Sequence, residues 1–164
     1  MRPAILIVED NAQVRTLLKD WLSPIFSGYE FLQAATGEAA VTLAGDRLPE
    51  MVLMDIKLPQ MDGIEATRRI KAISPQSRVV MLTIHEASDY QAAASAAGAD
   101  AYVPKRTMHS ELVPVMNKLF SQPPGACRGN RSACHSERSE ESLSRGAETL
   151  RLRSELALRP KEEQ

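Results

Sequence analysis

The stretch MVLMDIKLPQMDG, Met51 to Gly63, decides the fold. Met51-Val52-Leu53-Met54 is a short, unbroken apolar run, the pattern of a parallel strand covered on both faces. An acid, Asp55, ends it. Leu58-Pro59 then reads as turn chemistry, and Asp62-x-x-Glu65 as a capping box that opens a helix. A strand that runs through a polar turn into a helix is one β–α unit.

Working outward, the same unit recurs. Ala4-Ile5-Leu6-Ile7-Val8 and Val79-Val80-Met81-Leu82 are equally continuous apolar runs and read as central strands. Tyr29 to Ala35 alternates, and Ala101-Tyr102-Val103 is short and followed by Pro104, so both suit edge strands. Between the strands lie helical periods. Val14, Leu17, Leu18, Trp21, Leu22 and Ile25 form one apolar stripe; Leu112, Val115, Met116, Leu119 and Phe120 repeat the spacing, with Pro114 limiting that helix to a start near Ser110. Ser88-x-x-Gln91 reads as a second capping box, and Gly98 as the end of an Ala-rich helix. Five β–α units in series imply an α/β fold: a doubly wound, five-stranded parallel sheet between two helical layers. Its working site lies beyond the C-terminal strand ends.

The chain has 164 residues, with Lys plus Arg at 20 and Asp plus Glu at 21 for a net charge of −1. No global basic field draws it to nucleic acid or an anionic membrane. No apolar run reaches the roughly 18 to 20 residues of a membrane span, and the run after Arg2 stops at Glu9-Asp10, too early for a signal peptide. The expectation is a cytoplasmic protein with thiols at Cys127 and Cys134. Every aromatic residue, from Trp21 to Phe120, precedes Ser121, while residues 122–164 are rich in Ser, Arg and Glu. The expected organisation is a folded domain over 1–121 and a low-complexity, disordered tail over 122–164. Leu143, Leu150, Leu152, Leu156 and Leu158 allow one short helix in that tail.

The strand ends carry the chemistry. They supply Glu9 and Asp10, Asp55, Thr83 and, after Val103-Pro104, Lys105. Carboxylates gathered in one pocket repel by about 4 kcal/mol per pair near 4 Å at an effective dielectric of 20. A divalent cation relieves this, and oxygen-only ligands without His or Cys select a hard ion such as Mg2+. Lys105 is placed to pair with Asp55. Taken singly, each residue has a bland reading: Asp10 with Gln13 as a helix N-cap, Glu9 and Lys105 as solvated charges, Thr83 as a β-branched strand residue, Tyr102 as edge packing. His85 and His109 read as surface residues. Cys127, Cys134 and His135 fall short of a four-ligand zinc site.

Together, Glu9-Asp10, Met54 to Gly63, Thr83 and Tyr102-Val103-Pro104-Lys105 resemble the receiver domain of two-component response regulators, over residues 4 to 120. Met81 to Lys105 looks most like receivers of the NarL/LuxR-type subfamily, which carries a helix-turn-helix output domain. The resemblance implies a flavodoxin-like strand order 2-1-3-4-5 and makes Asp55 the phosphoacceptor, served by a sensor histidine kinase or histidine phosphotransfer protein. It implies Mg2+ held by Glu9 (through water), Asp10, Asp55 and the Lys57 backbone carbonyl, with Lys105 and Thr83 on the phosphoryl group. Thr83 and Tyr102 would form a switch that reshapes the face of the fourth helix, fifth strand and fifth helix, where a downstream target or a second copy of the chain would dock. One departure is Arg106, where family members commonly have a proline joined through a cis peptide. A cis bond before a non-proline costs roughly 2.5 to 4 kcal/mol, which favours trans here.

The competing readings differ in class. A phosphorylation-independent pseudo-receiver would keep the fold as a binding module; the intact acids, Thr83 and Lys105 argue against it. Haloacid-dehalogenase-like phosphatases need an acid where Lys57 stands, so the chain is not expected to be an enzyme on a separate substrate. Flavodoxin-type binding is opposed by Glu9-Asp10, which would repel a phosphate. The tail lacks a recognition-helix pattern, so no DNA binding is expected.

Overall fold

The computed structural model describes residues 2–84 and 88–122, apart from the side chains of residues 88 and 89. Its elements alternate without exception: β1 Ala4–Val8, α1 Ala12–Leu22, β2 Glu30–Ala34, α2 Gly37–Arg47, β3 Met51–Asp55, α3 Gly63–Ile73, β4 Arg78–Thr83, α4 Ser88–Ala96, β5 Ala101–Pro104 and α5 Met108–Phe120. The strands form one parallel sheet in the order β2-β1-β3-β4-β5. This is the flavodoxin-like arrangement. The sequence expectations for His85, the Ser88 cap, Cys127, Cys134, His135 and the tail lie outside the described residues.

Side chains alternate across each strand, so one strand feeds two cores. Ile5, Ile7, Leu53, Val80, Leu82 and Val103 pack with Leu18 and Leu22 of α1 and Leu112, Met116 and Leu119 of α5. Leu6, Val8, Val52, Met54, Val79 and Met81 pack with Ala40 and Ala44 of α2, Ala66 and Ile70 of α3 and Ala94 of α4. β1, β3 and β4 are buried at every position, which is why their sequences carry no polar alternation.

Three expectations are corrected here. The α1 stripe is narrower than its periodicity: Leu17 is 68% exposed, and Ile25, 47% exposed, lies past the helix end. One neighbouring layer covers only the arc around Leu18 and Leu22, and the chain turns away after Leu22. α5 starts at Met108 and runs through Pro114 rather than starting near Ser110. Pro114 lies on an exposed face and lacks the N–H for one helix hydrogen bond, and burial of Leu112, Met116 and Leu119 offsets the cost. At α3, Asp62 Oδ1 accepts from the Glu65 N–H at 2.7 Å, but the Glu65 carboxylate turns to Arg68 and Arg69 instead of completing the box.

α4 ends as its glycine implies. Gly98 sits at φ +94°, and the N–H groups of Gly98 and Ala99 donate to Ser95 and Ala94, both at 3.0 Å. That is a Schellman termination. No helix among the described residues is long and apolar enough to cross a membrane.

Candidate acidic site at the strand ends

β1 and β3 are adjacent and end together, which brings Glu9 and Asp10 to Asp55. One carboxylate oxygen from each of the three lies within 4.8 Å of the others. Glu9 and Asp55 are buried, whereas Asp10 is exposed and opens the cluster to solvent. Asp10 is not the N-cap of α1: Asn11 Oδ1 takes that role, accepting from Gln13 N–H at 2.9 Å and Val14 N–H at 3.3 Å. The bland reading of Asp10 is thereby overturned, and its carboxylate is left for the cluster.

Lys105 enters from the end of β5. Its Nζ donates to Glu9 Oε2 at 2.7 Å and to Asp55 Oδ2 at 2.8 Å. The Asp55 pairing is as the sequence implied; the Glu9 pairing is not, because Glu9 was assigned a water-mediated role. The backbone at Lys105 is fixed as well, its N–H donating to the Thr83 carbonyl at 2.6 Å. Peptide bonds are trans throughout the described residues, Lys105–Arg106 included.

The charges do not balance. One ammonium faces three carboxylates. Burial raises the Glu9 carboxyl above its ordinary value, outweighing the hydrogen bond from Lys105. Burial alone would depress Lys105, but its hydrogen bonds to Asp55 and Glu9 prevail and hold the ammonium above its ordinary value.

The β3–α3 turn is built around Asp55. Lys57 N–H donates to Asp55 Oδ1 at 3.3 Å, Gly63 N–H to the Ile56 carbonyl at 2.9 Å, and Gln60 adopts a left-handed φ of +67°. A Cβ on Gly63 would lie 2.0 Å from the Asp55 carbonyl oxygen, so only glycine fits that close approach. Thr83 is buried at the end of β4, in register with Pro104. Tyr102, opposite Met81, is part-buried against the core layer of α2, α3 and α4.

Sequence reasoning included Gly63 in the motif without foreseeing its approach to the Asp55 carbonyl, and missed Arg15. Arg15 Nη1 donates to the Glu9 carbonyl at 2.6 Å. Its only signal is position, one turn beyond Asn11 on a helix whose side chains lean back toward the N-terminus.

The donor set suits a hard cation. All three acids offer oxygen, the ligand atom Mg2+ prefers, and one oxygen of each lies within 4.8 Å of the others.

The fold and the site define a parallel three-layer α/β domain with an acidic pocket and an apposed lysine at its C-terminal strand ends. The family model described as the response regulator receiver domain matches residues 5–117, and the chain belongs to that family. The response regulator protein VraR of Staphylococcus epidermidis is 36% identical over 118 residues, covering 71% of this chain and 56% of that protein. The response regulator GacA of Pseudomonas aeruginosa is 33% identical over 117 residues, covering 71% and 55%. The chain thus spans about half the length of the curated relatives it matches. Among solved structures, a LuxR-family two-component response regulator from Aurantimonas sp. SI85-9A1 is similar at 31% identity and a TM-score of 0.67, over 74% of this chain and 88% of that one. The receiver domain of the histidine kinase CKI1 from Arabidopsis thaliana, complexed with Mg2+ and BeF3−, shares the fold at 23% identity and a TM-score of 0.65, over 73% and 91%.

Proposed function

We propose that this chain is a phosphorylation switch in which Asp55 accepts a phosphoryl group from a phosphohistidine of a sensor histidine kinase or phosphotransfer protein. The observation that carries this reading is Lys105 Nζ, bonded at once to Asp55 and Glu9 beside the exposed Asp10. An Asp55 oxygen forms the bond to phosphorus while the phosphorus–nitrogen bond of the donor breaks. The imidazole leaves with the electron pair and takes a proton. Glu9, Asp10, Asp55 and the Lys57 carbonyl would hold Mg2+, which supplies neutralising charge for the phosphoryl oxygens. Lys105 moves from the Asp55 carboxylate to a phosphoryl oxygen, keeping an ion pair throughout. Thr83, buried at the neighbouring strand end, turns its hydroxyl to the new phosphate. Tyr102 follows, and the α4–β5–α5 face becomes the docking surface for a protein target or a second copy. The chain acts on its own aspartate rather than on a separate substrate, and works in the cytoplasm as a receiver unit over residues 1–121, followed by a tail.

Incubation with acetyl phosphate and MgCl2, read by intact mass, tests this. Wild type is expected to gain one phosphoryl group, and Asp55→Asn none. Equal gain by Asp55→Asn would overturn the assignment, and no gain by wild type would favour the pseudo-receiver. A chain ended after Gln122, whose carbonyl accepts from Arg78 Nη2 at 2.5 Å, is expected to keep the wild-type melting temperature.

A further inference from the structure

The β1–α1 turn holds one charged group that the phosphoryl chemistry leaves unused. Arg15 Nη1 donates to the Glu9 carbonyl at 2.6 Å and reaches the Asp10 carbonyl at 3.5 Å, the outer limit of a hydrogen bond, so the Glu9 carbonyl is the principal anchor. On its other side the Glu9 N–H donates to the Ala34 carbonyl at 3.1 Å. The main chain of the acid pair is therefore pinned from β2 and from α1 together. Asn11 caps α1 directly after Asp10, so the helix that carries Arg15 is registered to the same turn.

What this clamp governs follows from Asp10. Its side chain is in no hydrogen bond or ion pair among the described residues, so the position of its backbone decides where its carboxylate can reach. A guanidinium on the carbonyls fixes that backbone and leaves all carboxylate oxygens available. Lys105, by contrast, occupies one oxygen each of Glu9 and Asp55.

We propose that Arg15 is a positioning residue for the acidic pocket, clamping the main chain of Glu9 and Asp10 so that their carboxylates converge on a divalent cation. The proposal rests on the reading of the pocket given above. Its test is a titration of the full-length, 15N-labelled chain with MgCl2, followed by amide chemical shifts, which report binding and fold in one spectrum. Arg15→Met keeps the stem and removes the donors; it is expected to weaken Mg2+ binding by about tenfold, in the range found when groups that orient metal ligands are removed. Arg15→Lys, with one donor group, is expected to recover part of the loss. Thr16→Ala removes a neighbouring hydroxyl that, among the described residues, bonds only to the Ala12 carbonyl of its own helix, and is expected to bind as wild type. Wild-type affinity in a folded Arg15→Met chain, or equal weakening in Thr16→Ala, would overturn the role of Arg15 alone. If Arg15→Met does not fold, Arg15→Lys decides: weaker binding than wild type supports the clamp, and unchanged binding refutes it. A wild-type chain that binds no Mg2+ would overturn the pocket reading and this proposal together.

Discussion

Replacing Lys105 with methionine removes the ammonium bonded to the Glu9 and Asp55 carboxylates while retaining an apolar stem of similar length. Its Nζ lies 2.7 Å from Glu9 and 2.8 Å from Asp55, and its side chain is 17% exposed. Each such contact corresponds to about 4 kcal/mol at 4 Å and an effective dielectric of 20. The variant also escapes the cost of burying the ammonium, so the net loss of stability near neutral pH is expected at about 3 kcal/mol, the low end for breaking a buried pair. The sign with pH follows from Glu9, whose carboxyl is already raised above its ordinary value of 4.5 by burial, against the Lys105 hydrogen bond. Without that bond it rises further. A raised acid binds more protons folded than unfolded between the two values, so stability falls as pH climbs through that window. The raised Lys105 has the same sign at higher pH: its contribution is complete below its ordinary value of 10.5 and is lost as pH rises through the higher folded value. Urea unfolding should therefore show a deficit that is largest near about pH 8 and shrinks toward about pH 4.5. Added MgCl2 should restore more stability to the variant than to wild type. A deficit constant across that range would refute the electrostatic reasoning and assign the loss to packing.

Two further substitutions probe the backbone. Gly63→Ala puts a Cβ 2.0 Å from the Asp55 carbonyl oxygen and is expected to cost about 2 to 3 kcal/mol and slow phosphorylation; Gly28→Ala, with nothing within 4 Å, should do neither. Urea midpoints and the acetyl phosphate reaction check both. Leu48 caps α2 at φ +44° and is 54% exposed, so Leu48→Gly should relieve left-handed strain at little loss of burial and gain about 0.5 to 1 kcal/mol in urea.

The fold was legible because fully buried parallel strands write themselves as unbroken apolar runs, and Val8, Met54 and Leu82 are each followed by a polar residue at the strand end. Periodicity locates α1 but does not say how wide an arc its neighbour covers, so it places Leu17 and Ile25 in the same apolar stripe as the buried Leu18 and Leu22. Pro114 was read by local propensity, which tertiary burial of Leu112 and Met116 overrides. At the site, residue types at strand ends pointed to Asp10, Asp55 and Lys105. Choosing Asn11 over Asp10 as the α1 cap needed backbone geometry, since both are good capping residues. The Lys105 to Glu9 bond joins opposite ends of the domain sequence, and Gly63 meets a main-chain carbonyl; neither contact has a local signature.

The most direct measurement is chemical trapping of the phosphorylated side chain. Borohydride reduces an acyl phosphate to an alcohol, so the full-length chain treated with acetyl phosphate and MgCl2, then reduced and digested, should yield one modified peptide with homoserine at position 55. Chelating the metal beforehand should abolish it. Modification at any other residue, or a phosphate that survives acid and resists reduction, would contradict Asp55 as the phosphoacceptor.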